Sequence, residues 1–266
     1  MANLETFRQN GDRFNLIRST ALIFVRRFVT HLGNSASQHV KWPNQSASAI
    51  ISDHFYAKQG LPDVISAIDG CHISIKKPRE EIVYCNRKGF TSIILQAVCD
   101  DKKQFLDVFC GEPGSMHDAR VLRRSDLYAK ASRDGLPAGR YLLGDSAYPN
   151  LPWLVTPFRD TGHLTGQQRQ FNYKHSSSRI VIENTFGMLK GRFRRLKYFE
   201  NINIGFIVKA VVAACVLHNI CINFNDTDVT GQTIGADVGH DLPQVEDEVQ
   251  EVLDRRQQIF NIVMNQ

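Results

Sequence analysis

The chain has 266 residues, 42% of them apolar and 22% charged, which is enough to bury a large core without disulfides or metals to hold it. That balance excludes collagen-like and mainly disordered classes. The longest apolar run, residues 207–222, is broken by Lys209 and His218 and is shorter than a bilayer span. Formal net charge is +5, but it is unevenly spread: residues 226–266 hold nine acids and two bases, leaving 30 bases against 18 acids before them. A basic body with an acidic tail points to a polyanionic partner, with nucleic acid the first candidate.

Taken in chain order, residues 12–18 read as a helix end and a turn. Residues 19–32 follow as a helix, with Ser19 as N-cap and apolar residues at helical spacing. Residues 39–43 are a turn or linker, and 46–59 form an amphipathic helix. From there the pattern becomes strand-like. Residues 64–75, 92–100 and 105–111 are rich in β-branched and apolar residues, and the second and third are separated by the polar turn Asp101-Lys102-Lys103.

Residues 117–132 read as one helix and 140–148 as a buried strand ending at an acid. A loop follows over 149–174, then helices over 176–196 and 205–222. Beyond residue 225 the text turns acidic, predicting a linker and one last helix over 243–264. The expected organisation is an N-terminal helical segment (1–45), an α/β domain (46–225) and an acidic linker with a C-terminal helix (226–266). Strands followed by alternating helices and a further strand imply a mixed sheet flanked by helices.

The six cysteines, at 71, 85, 99, 110, 215 and 221, form no C-x-x-C pair. Reduced thiols are therefore expected rather than structural zinc. No cleavable leader is expected either, since Glu5, Arg8, Asp12 and Arg13 precede the first apolar stretch.

Three acids stand inside apolar segments, where an unpaired carboxylate is strongly disfavoured. Asp69 follows Ile68 directly, Asp145 lies just after Leu142 and Leu143, and Glu183 sits within IVIENTF. Each could have a local partner: Asp69 in an Asp-Gly turn, Asp145 in an Asp-Ser cap, Glu183 with Arg179 at i−4. Three such acids on a strand, a strand end and a helix are better explained by a shared divalent cation. Hard oxygen donors without a His/Cys cluster select Mg²⁺, with Mn²⁺ as the alternative.

The blocks AIDGCHISIKKP, YCNRKGF, PGSMHDARVL, LLGDSAYP, ENTFGMLKGRFRRL and CVLHNI resemble, in order and spacing, the DDE transposase domain of the PIF/Harbinger group. The likeness runs over about residues 12–224 and is closer still to the Harbinger transposase-derived nucleases. It implies a ribonuclease-H-like fold with catalytic carboxylates Asp69 on the first strand, Asp145 after the fourth and Glu183 on a helix. Asp118 is implied as a further metal ligand.

The implied function is divalent-metal-dependent endonuclease cleavage of DNA phosphodiester bonds. Two cations about 3.5–4 Å apart would activate water and stabilise the leaving oxygen. A catalytically silent DNA-binding or scaffold protein of the same descent is the alternative. The resemblance also implies a Myb-like companion protein, and residence in nucleus and cytoplasm.

Other residues are candidates for supporting roles. His72 and His117 stand beside the acids as hydrogen-bond donors or as structural residues, and Arg87 and Lys88 form a basic turn with Asn86. Lys190, Arg194 and Arg195 follow Glu183, together with Arg192 and Lys197, and are expected to meet the DNA backbone. His218 and Asn219 read as a hydrogen-bonded core pair. The family's helix-turn-helix is represented only by its later part, with Arg26 and Arg27 on the would-be recognition helix.

Overall fold

The computed structural model describes residues 7–78, 81–200, 203–226 and 255–265. Helices α1 (Phe7–Arg13), α2 (Arg18–Asn34), α3 (Ala36–His39) and α4 (Gln45–Gln59) lead into strand β1 (Val64–Ser74). Then come α5 (Glu81–Tyr84), the strands β2 (Ser92–Cys99) and β3 (Phe105–Pro113), and helices α6 (Asp118–Arg124) and α7 (Asp126–Asp134). Strands β4 (Tyr141–Leu143) and β5 (Leu154–Val155) follow, and then helices α8 (Gly166–Arg192), α9 (Ile204–Asn223) and α10 (Arg255–Met264).

The strands form one mixed sheet in the order β3-β2-β1-β4-β5. β1 pairs antiparallel with β2 and parallel with β4, and β2–β3 is antiparallel while β4–β5 is parallel. A long antiparallel meander joined to short parallel strands, flanked by helices, is the ribonuclease-H-like arrangement. β2 is buried along its whole length, so its near-continuous apolar text SIILQAVC is explained by cover on both faces. α4 and α8 pack on β1, α6 on β2 and α9 on β3.

Several local readings are corrected. Ser19 does not cap α2; Ile17 occupies the N-cap and offers no side-chain bond. The single helix expected over 117–132 is two, because Ser125 turns extended, donates to the Leu122 carbonyl and accepts from the Tyr128 N–H. Serine ends one helix and starts the next, as its preference for N-caps dictates.

The loop expected up to residue 174 is already helical from Gly166, where Thr165 and Gln168 form a reciprocal capping box. Its polar text hid a narrow buried stripe of Phe171, His175 and Ser178. At the other end α8 stops at Arg192, and residues 194–197 make a short 3₁₀ turn. Arg194 therefore does not continue the helical face of Glu183.

α9 is 20 residues long, longer than its apolar run suggested, and by length and composition it could cross a membrane. Here it packs against α2, α3, α8 and β3, burying Ile207, Val211, Ala214 and Cys215. Asn219 joins it to the sheet: its side-chain carbonyl accepts from the Phe105 N–H, and its amide donates to the Phe105 and His39 carbonyls. His218 is bonded to the Lys103 carbonyl, so the pair is a core fixture.

α2, the would-be recognition helix, lies on α9, with Ala21, Val29 and Leu32 inward and Arg26 over the Phe206 ring. Its outward residues include Phe24 and Phe28 together with Arg18 and Arg27, a mixed apolar and basic face. The last helix is described over Arg255–Met264, where it packs on α8; the rest of the acidic tail, 227–254, lies outside the described residues.

Candidate active site

Four acids come from four separate elements. Asp69 is central in β1, opposite Ala97 of β2. Asp118 opens α6, Asp145 lies two residues past β4, and Glu183 sits in α8. Of the three expected local settings only Glu183 with Arg179 is met as stated: Asp69 and Gly70 lie inside β1 rather than in a turn, and Asp145 bonds Ala147 rather than Ser146. Asp69 accepts from the Gly70 N–H at 2.7 Å and Asp145 from the Ala147 N–H at 3.0 Å. Glu183 meets Arg179 at 2.6 Å, one turn back on the helix.

The local contacts do not exhaust the arrangement. The other arm of Arg179 reaches Asp69 at 2.9 Å, across 110 positions of sequence. One guanidinium therefore joins the central strand to the long helix.

Asp118 approaches from the other side. A methyl group on Gly70 would run into its carboxylate oxygen, so the two elements meet only because that position lacks a side chain. Burial pushes Asp69 up to about 7 against the opposing pull of Arg179, and the charges of Asp145 and Asp118 push the same way. Asp118 is likewise pushed up to about 7 by burial and by Asp145, with Arg87 opposing. Asp145 is raised by burial, and Arg179 opposes that too. Three aspartates within mutual electrostatic reach, two of them opposed by the half-buried Arg179, are a charge surplus that a divalent cation would relieve.

Tyr148, in the GDSAYP block, was not singled out from sequence. Its ring is buried, its hydroxyl has no protein partner, and its pKa is raised well above normal by burial and by Asp118, Asp69 and Asp145. The tyrosine's position three after Asp145 was the available signal. Arg179 was visible only as a helical i−4 partner; its reach to Asp69 depends on how α8 lies across β1, which spacing along one helix does not specify.

Among the described residues no three Asp, Glu, His or Cys side chains are drawn to one point able to hold an ion. Arg179 is bonded to two of the four acids instead. The donor set nonetheless fits a hard divalent cation. It consists of carboxylate oxygens with raised proton affinity, beside a buried hydroxyl that lacks a partner.

The supporting residues divide. Asn86 is buried and shapes the basic turn, accepting from the Lys88 and Phe90 N–H groups and donating to the Ser92 hydroxyl. Arg87 is exposed and contacts the His117 ring. His72 pairs with Ser92 and is depressed to about 4 by burial and by Lys190 and Lys88. Lys190 donates to the His72 carbonyl at 2.9 Å, tying α8 to β1. Arg192 is turned toward His218 and Asp226. Arg194 is exposed.

The DDE superfamily endonuclease family matches residues 68–219, a span that contains all four acids. The chain belongs to that family. A rat protein named "Putative nuclease HARBI1" is 33% identical over 251 residues, 92% of this chain and 70% of the relative. Its human namesake is 34% identical, over 79% of this chain and 61% of its own length. The Arabidopsis thaliana "Protein ALP1-like" is 31% identical, over 87% and 60%. The chain thus spans between about three fifths and seven tenths of these relatives. No solved structure matches. DDE endonucleases typically use divalent metals, and the chain shares the Harbinger-derived descent of the HARBI1 relatives.

Proposed function

We propose that the protein is a divalent-metal-dependent DNA endonuclease, taking Mg²⁺ with Mn²⁺ as a substitute. The observation that carries the reading is that Asp69, Asp118 and Asp145, delivered by separate parts of the chain, lie within reach of one another's charge, with Glu183 joined to Asp69 through Arg179. Acids assembled in this way cost stability unless a cation rewards them.

Asp69, Asp118, Asp145 and Glu183 would hold the metal. When bound, a metal pair supplies Lewis acidity toward the phosphodiester and lowers the pKa of an attacking water. The sheet and α8 fix the carboxylates so that little reorganisation is needed at reaction. Tyr148 brings a buried hydroxyl to the same place, able to donate to a water or a phosphate oxygen. Arg87, Lys88, Arg194 and Arg195 would hold DNA phosphates, while Lys190 braces the strand carrying Asp69. A Myb-like companion protein would supply targeting, and the exposed Phe24 and Phe28 of α2 offer an apolar surface to a protein partner. Action on DNA would place the protein in the nucleus, with the cytoplasm as its other location.

One observation supports the rival reading, a catalytically silent DNA-binding or scaffold protein: Arg179 satisfies two acids without any metal. Cleavage of an end-labelled DNA duplex separates the two. Wild-type protein with Mg²⁺ or Mn²⁺ should cut, and Asp69→Asn should lose orders of magnitude while staying folded. A wild type that cuts no duplex with either ion would establish the silent reading. Equal cutting by wild type and variant would identify a contaminant.

A further inference from the structure

Arg179 is planted in α8 one turn before Glu183 and bonds both Glu183, at 2.6 Å, and Asp69, at 2.9 Å. Its side chain is only 16% exposed. It also lies close enough to Asp145 for each to feel the other's charge. A guanidinium keeps its charge at every working pH, so it cannot yield this position by losing a proton. It must move, or share the carboxylates with whatever cation arrives.

We propose that Arg179 is a built-in counter-ion that stands in the cation position between Asp69 and Glu183, and that divalent metal binds in competition with it. The inference rests on the metal-nuclease reading and adds to it a residue that sets metal affinity without being a ligand. In metal-free protein Arg179 holds strand and helix together, so the acids do not drive the site apart. Asp69 and Glu183 would hold the metal with the same carboxylate oxygens that Arg179 holds, and Arg179 would give up at least one of them. The same residue that stabilises the metal-free protein therefore weakens its hold on the ion.

The test is a titration of the purified full chain with Mn²⁺ by calorimetry, paired with thermal unfolding in chelator and in Mn²⁺. Arg179→Gln should bind Mn²⁺ about tenfold more tightly than wild type, the scale usual for two sites coupled in this way. It should also melt at a lower temperature without metal and gain more from Mn²⁺. If Arg179→Gln does not fold in chelator, Arg179→Lys keeps the charge but loses the two-pronged contact. It should then fall on the tighter side of wild type.

Affinity equal to or weaker than wild type in a folded variant would overturn the competition, leaving Arg179 as an organiser of the ligands. Asp69→Asn tells the two failures apart. If wild type binds Mn²⁺, Asp69→Asn does not, and the Arg179 variants match wild type, only the competition falls. If wild type and Asp69→Asn give the same absence of binding, the metal reading falls with it.

Discussion

Gly70 lies directly beneath Asp118: any Cβ at that position would collide with the carboxylate of Asp118. The obstacle is the tip of the short Asp118 side chain at the first turn of α6, so the carboxylate must swing aside to make room. Gly70→Ala should therefore displace Asp118 from Asp69 and Asp145. Because β1 is extended there, the substitution carries no penalty in backbone conformation, and the strand should survive. Metal-dependent cleavage should fall at least about tenfold, with a loss of roughly 1–3 kcal/mol in stability from overpacking. Unchanged cleavage in Gly70→Ala would show that Asp118 takes no part in the reaction.

DNA binding is expected to be strongly salt-dependent if the basic residues beside the site meet phosphates. Arg87 and Arg194 are exposed, and Lys88 and Lys190 both act on His72. The slope of log affinity against log salt should flatten by roughly 1–2 units in the double variant Arg87→Ala, Arg194→Ala. Binding should weaken for all duplexes alike, since phosphates carry no sequence. Filter binding from low to high KCl measures it, and identical slopes in variant and wild type would remove these arginines from the interface.

Acid should erode the contribution of the core histidines. His218 is fully buried, hydrogen-bonded to the Lys103 carbonyl and held down to about 4, chiefly by burial, with Arg192 and Lys103 adding to the effect. Its unfolded value is near 6.5, so its folded pKa is depressed. The stability it lends is complete above the unfolded value and is lost as pH falls from about 6.5 to about 4, by up to a few kcal/mol. The raised aspartates titrate nearby with opposite sign, so the measurement is a difference. Urea unfolding of wild type and His218→Gln at several pH values should show the wild-type advantage shrinking as pH drops. A difference independent of pH would mean that His218 does not titrate between the two states.

Much of this molecule was legible in its residues. β-Branched runs around Asp69 and in SIILQAVC located the long strands, because a doubly covered sheet needs continuous apolar text. The acids stood out because carboxylates among isoleucines and leucines demand an explanation. Less legible were features made by the chain meeting itself. The start of α8 was hidden under glutamine, asparagine and lysine, since only one narrow stripe of that turn is buried. The break at Ser125 turns on one hydroxyl bonding both ways. The double reach of Arg179 needs the crossing of α8 over β1, and so does the inward turn of Lys190. The helix that resembled a DNA reader is docked by Ala21, Val29 and Leu32 onto α9, a packing its own periodicity could not assign a partner.

The central claim is that the acids form a metal centre, and the most direct measurement is an anomalous difference map from a crystal soaked in Mn²⁺. Manganese density should appear among Asp69, Asp118, Asp145 and Glu183, with Arg179 drawn away from at least one of its two carboxylates. A map without manganese at these acids, with Arg179 still joining Asp69 to Glu183, would contradict the claim.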